Sequence, residues 1–201
     1  LKLIVAKIRR RLGRKVVIII RADSGFCRDE ILTWIEKQPH THYVIGLAKN
    51  AALKKLIAPT YEGYLRDHLG EDAYEQLVAE ALEKEQKQPR LPDDLDYKAY
   101  TELSYRTQKS WSRGRRVVGK AAITRGKINP RFIVTDITGE EDWAKGNPTF
   151  QTGQSIYEDY YCARGDMENR IKEQQLALFA DRTSTATLRA NQLRLWFSSM
   201  A

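Results

Sequence analysis

Two places in this 201-residue sequence hold side chains whose type and spacing could do chemistry. The first is Asp23, in the phrase Arg21-Ala22-Asp23-Ser24-Gly25-Phe26. It follows the β-branched run Val16 to Ile20, which reads as a central strand buried on both faces of an α/β sheet. A carboxylate just past the C-terminal end of such a strand stands where open α/β sheets bind ligands. It can hold a hard cation such as magnesium. A turn aspartate that only accepts backbone hydrogen bonds takes the same position, and position alone favours that plainer role.

The second place is Tyr161, Arg164, Glu168 and Lys172, whose spacings of 3, 4 and 4 put all four on one face of a helix. One reading makes Glu168 a metal ligand, with Tyr161, Arg164 and Lys172 holding phosphates beside it. The other is a solvated face laced by Arg164–Glu168 and Glu168–Lys172 pairs, worth tenths of a kcal/mol each. Spacing by itself leaves the second ahead.

The elements that must position these residues follow from pattern and punctuation. Leu1, Ile4, Val5, Ile8 and Leu12 recur at helical spacing, and Gly13 can end that helix. Arg28 to Gln38 reads as a helix stopped by Pro39, and Tyr43 to Leu47 as a second apolar strand. Strand, helix, strand in that order is a βαβ unit with a parallel pair. After Pro59 the pattern changes to a charged helical stretch, Tyr61 to Gln88, with a break near Gly70. Three strands follow, Tyr100–Thr107, Arg116–Ile123 and Arg131–Ile137, with Gly114, Gly126, Asn129 and Pro130 at the turns. The chain closes in helices over about 155–179 and 185–200. It opens on Leu rather than Met and ends inside an amphipathic pattern, so we expect a piece of a longer protein.

Charge is unevenly spread. The net value is +8. Residues 1–59 carry 13 basic and 4 acidic side chains, residues 60–97 carry 4 and 11, and residues 98–134 carry 10 and 1. Two basic segments flanking an acidic one point to nucleic-acid surfaces on either side of a solvated helical excursion. In the second basic segment Arg113, Arg115, Arg116 and Lys120 suit phosphates, and Trp111 could stack on an unpaired base, as could Trp143. A core or hairpin tryptophan on a solvated basic strand is the plainer alternative. Two cysteines exclude a disulfide scaffold, and Cys27 and Cys162, like His40, His42 and His68, fit packing or surface roles. No apolar run reaches the ~20 residues of a membrane span. The N-terminal helix lacks a secretory cleavage site, so a cytoplasmic location is expected.

Asp23-Ser24-Gly25-Phe26 resembles the Asp-x-Gly-Phe/Tyr motif around the second acidic residue of DDE transposases of bacterial insertion sequences. Tyr161-x-x-Arg164-x-x-x-Glu168 is similar to the Tyr-Arg-Glu motif around their third. These phrases, with Arg189-Ala-Asn-Gln-Leu-Arg-Leu-Trp196, resemble the IS-thirteen-eighty group within the wider IS-four superfamily, over about residues 9–201. The resemblance implies an RNase H-like α/β core, here partial because its opening strands are missing. An inserted helical and antiparallel β region interrupts it. The expected layout is residues 1–59 and 151–201 for the core and 60–150 for the insertion.

The resemblance further implies two divalent metal ions, magnesium or manganese, held by three carboxylates, and metal-dependent cleavage and transfer of DNA strands at insertion-sequence ends. Asp23 matches the second acid and Glu168 the third, with Tyr161 and Arg164 as DNA contacts. Double-stranded DNA, as transposon ends and target, is the implied partner, with a homodimer on paired ends. Two departures stand out. No residue in 1–22 is acidic, so the first Asp is absent. Gln175 stands where the superfamily has a Lys, and Lys172, one turn after Glu168, could substitute. The leading expectation is the C-terminal portion of a DDE transposase, with the activity of the isolated chain left open. A non-catalytic DNA-binding remnant and an RNase H-like nuclease that resolves DNA structures are the alternatives.

Overall fold

The computed structural model describes residues 1–86, 88–163, 165, 169, 172–173 and 187–200. They fall into two compact units, Leu1–Tyr161 and Cys162–Ala201. The first is mixed α/β and compatible with an RNase H-like core.

Helix α1 (Lys2–Leu12) ends where Gly13 adopts φ +90°, a conformation that favours glycine. Only Val5 of its apolar series is buried, while Leu3, Ile4 and Leu12 are largely exposed. Strand β1 (Ile18–Ala22) leads through a 3-10 turn (Ser24–Phe26) into α2 (Asp29–Glu36) and then β2 (Thr41–Leu47). β1 and β2 run parallel, with Ile18 opposite Thr41 and Ala22 opposite Ile45. The expected βαβ unit is therefore present. β1 is not central, however. It stands at one margin of the sheet, and all five of its residues are only half-buried.

Helices α3 (Ala51–Leu69) and α4 (Glu71–Glu83) follow. The Asn50 carboxamide caps α3 by accepting from the Leu53 amide at 2.9 Å. Pro59 lies inside this helix rather than at a boundary. Buried Leu53, Ile57 and Leu65 on both sides of it supply packing that outweighs the lost backbone bond. The acidic helical region is anchored to the sheet through Leu65, Tyr74 and Ile123 rather than wholly solvated.

Strands β3 (Tyr97–Tyr105), β4 (Arg115–Thr124), β5 (Lys127–Ile128) and β6 (Arg131–Thr135) form the expected meander. It does not stand apart. β6 pairs antiparallel with β2, giving one six-stranded sheet in the order β1-β2-β6-β4-β3, with β5 on β4. Alternation along the strands sends Tyr43, Ile45, Val117, Phe132 and Val134 toward α2 and α3. It sends Val44, Val118 and Ile133 to the opposite face, which is covered by Ile137, Phe150, Ile156 and Tyr157. On that face a short turn of helix, α5 (Gly153–Ser155), runs into a π-helix (Ile156–Tyr161). In the second unit α6 covers Leu188–Met200 and carries the Arg189–Trp196 phrase.

Candidate active site

Asp23 occupies the expected place. It follows the last residue of β1, its backbone is extended (φ −82°, ψ −179°), and it caps the 3-10 turn. Its Oδ1 accepts from the Gly25 amide at 2.9 Å. Glycine suits position 25 because a Cβ there would lie 3.1 Å from that oxygen. The carboxylate is exposed and fixed on one oxygen by a backbone donor. Asp23 thus has the character of a hard-cation ligand as well as of a turn residue.

The structure brings Tyr161 to the same spot. A Cβ on Gly46 would collide with the Tyr161 hydroxyl and would lie 3.2 Å from the Ser24 amide nitrogen. The phenol therefore covers the bare backbone of β2 directly beside the Asp23 turn. Two contacts from β1 hold the π-helix that carries it. The Arg21 guanidinium donates to the Tyr160 carbonyl at 2.7 Å and lies 5.3 Å from the centroid of the Tyr160 ring. At the other end Glu158 accepts from Lys98 and from the Tyr100 hydroxyl on β3. Hydrogen bonds from Lys98, Tyr100 and Gln154 pull its carboxyl down to about 2. π-helical turns are rare and recur at functional sites. Gly46 and Arg21 escaped the sequence reading. A glycine inside an apolar strand is the signal that could have marked the first.

Arg164 and Glu168 lie outside the described residues. Lys172 is exposed on helical backbone in the second unit. Among the described residues no three His, Cys, Asp or Glu side chains form a group able to hold a metal. Asp23 fits a divalent cation in donor type.

The basic residues of the meander have different fates. Arg115 is buried, its side chain 2 % exposed. Its Nε and Nη1 donate to Glu36 and Asp29, both at 2.7 Å, and Nη2 reaches Thr33 and Glu36 at 3.0 and 3.2 Å. Burial works against the charge on Glu36, but bonds from Arg115, Arg113 and Tyr43 outweigh it and hold the carboxyl below its usual range. Asp29 is lowered in the same way, burial being outweighed by Ser112 and Arg115. Trp111 is only 4 % exposed and lies under the Arg115 guanidinium, 5.2 Å from it, and edge-on to Tyr105. No face of its ring is open to a base. Arg116 is half-buried between Glu102 and the Ile137 carbonyl. Arg113 is 60 % exposed while touching Glu36, and Lys120 lies 5.7 Å from the Tyr157 ring centroid. Arg106, Lys109, Arg125 and Lys127 face solvent. Trp143 is packed against Phe150 and donates to His42 Nε2 at 3.2 Å. Burial pushes the Cys27 thiol up to about 11, in keeping with a packing role.

The family model for transposase DDE domain group 1 matches residues 1–201. The chain belongs to this transposase family. No curated protein and no solved structure matches it. Within a transposase DDE domain, an exposed aspartate at the C-terminal edge of a parallel strand pair is a candidate acidic residue of the catalytic set. No helix among the described residues is long and apolar enough to cross a membrane.

Proposed function

We propose that this chain is the C-terminal portion of a transposase that cleaves DNA strands at insertion-sequence ends and joins them to a target. The observation that carries the reading is the Asp23 turn. A solvent-facing carboxylate is fixed at the sheet edge by Gly25, with the Tyr161 phenol packed beside it. Asp23 and Glu168 are the residues that would hold the divalent cations. Bound there, the cations would ready water or a 3′ hydroxyl for in-line attack and steady the leaving oxygen. Asp23 contributes a carboxylate that need not reorganise, because its rotamer is set before any ligand arrives. Tyr161 closes off the backbone behind it. Solvent-facing Arg106, Lys109, Arg113, Arg125 and Lys127 offer phosphate contacts for duplex DNA, with Arg164 and Lys172 added near Glu168.

On this reading the set still needs its first acidic residue, and no residue in 1–22 is acidic. The outer edge of β1, unpaired among the described residues, supports a strand adding there. In the full protein, Asp23→Asn and Glu168→Gln should each abolish magnesium- or manganese-dependent nicking of end-sequence duplex while leaving duplex binding intact. Nicking that survives either substitution, or persists in chelator, overturns the assignment. The second reading, a DNA-binding remnant, draws on the sequence of residues 1–22, none of which is acidic. It predicts duplex binding with no nicking in the wild-type protein.

A further inference from the structure

A cleft of about 420 Å³ opens between α1 and the turn that joins α2 to β2, lined by Ala6, Arg9, Arg10, Arg14, Gln38 and Pro39. Arg9 is built into it. Its Nη1 donates to the Arg14 carbonyl at 3.2 Å, and its Nη2 donates to the Pro39 carbonyl and to Thr41 Oγ1, the latter at 2.6 Å. Every one of these acceptors is neutral. The remaining donor, Nε, is enclosed by protein and has no hydrogen-bond partner. Among the described residues Arg9, Arg10 and Arg14 form no ion pair, and the Arg10 and Arg14 guanidiniums make no hydrogen bond. No acidic residue precedes Asp23 in the sequence.

Three like charges gathered on one concave surface repel each other, and the half-buried Arg9 guanidinium has no counter-charge to offset that repulsion. Arg9 already ties the end of α1 to β2, and the Arg10 and Arg14 guanidiniums add no hydrogen bond to that tie among the described residues. An anion accounts for the arrangement. The cleft is open and three of its six lining residues are arginines, which suits a run of phosphodiesters better than a neutral small molecule.

We infer that this cleft is a second contact for the phosphate backbone of duplex DNA, distinct from the Asp23 edge. The proposal rests on the transposase reading for the identity of the polyanion. Thr41 pairs with Ile18, so the cleft lies at the start of the parallel pair, whereas Asp23 follows its end. The length of β1 separates them by roughly 15 Å. One phosphate cannot serve both places, and binding at the cleft is separable from chemistry at Asp23.

The test is the salt dependence of binding to a labelled duplex of arbitrary sequence, measured by fluorescence anisotropy for the wild-type chain, Arg10→Gln/Arg14→Gln, and the control Lys54→Gln/Lys55→Gln on α3. Circular dichroism and melting confirm that each folds, which is expected because Arg10 and Arg14 are exposed and unbonded. The double arginine variant should flatten the slope of log K against log salt by about 2, one unit per lost phosphate contact, with the control unchanged. An unaltered slope in the arginine variant, while the wild type binds, overturns the cleft and leaves the transposase reading standing. An equal loss in the control overturns it too, since net charge alone would then explain the effect. Inorganic phosphate that raises the melting temperature of the wild type but not of the variant, with no change in duplex affinity, would mark a free-anion site and overturn the DNA assignment. A wild-type chain that binds no duplex at all removes the DNA reading itself.

Discussion

At the scale of single residues, the site depends on an atom that is missing. Gly46 has no side chain, and the Tyr161 hydroxyl fills the space beside the Ser24 amide. Gly46→Ala should force the phenol aside at a cost of about 1–3 kcal/mol, as overpacking generally does. Tyr161→Phe in the same chain removes the atom struck first and should restore part of that loss. Chemical denaturation of the two single variants and the double variant checks this, and strictly additive effects would rule out the contact. Asp23 was legible in sequence because a β-branched run, an acid and a Ser-Gly turn are local. The fates of Arg113, Arg115 and Arg116 were not. Three near-adjacent arginines look alike, yet one is 60 % exposed, one buried and one clasped by Glu102. Of the three, Arg115 is the one buried against both Asp29 and Glu36, some eighty residues earlier in the chain, and no periodicity reports such a pairing.

At the scale of elements, the Arg115 cluster is the bolt between α2 and β4. Glu36 and Asp29 on the helix and Arg115 on the strand close a buried network in which Trp111 and Tyr43 also take part. Arg115→Met would leave two carboxylates facing the place of the lost cation. Removing one member of a buried pair costs about 3–5 kcal/mol. Equilibrium unfolding in urea should show a loss of this size, whereas Arg113→Met, at an exposed position, should lose well under half as much. Equal losses would mean that the network does not anchor the helix. Strand and helix identities were largely readable here, because the β-branched and alternating runs of β1, β2, β4 and β6 differ plainly from the charged helical stretch. What could not be read was that Pro59 sits inside α3, since the packing of Leu53 and Ile57 that overrides it is tertiary.

At the scale of the whole molecule, charged ties link separate parts of the sheet unit. Asp29 and Glu36 lock α2, Glu102 holds Arg116, and Glu158 fastens the π-helix to β3. All four carboxyls are lowered below their usual range, Glu158 to about 2. A lowered folded-state value means the stabilisation is full above the ordinary carboxylate range and fades as pH falls through the folded value. Unfolding free energy should thus be level from neutral pH down to about pH 5 and decline steadily toward about pH 2. Glu158→Gln should soften the lowest part of that decline, and an identical acid profile in the variant would contradict the assignment. The sheet order was less legible than its strands, because alternation shows which residues face inward and not which strand lies beside which. That order also bears on how the chain is made. β2 takes β6 as its neighbour, Val44 opposite Thr135, so half of its backbone ladder is supplied by residues about ninety positions later. A ribosome adding 5–20 residues per second needs roughly 5–18 s to reach them. For that interval a strand built to be buried on both faces waits with one edge bare, open to pairing with another nascent copy.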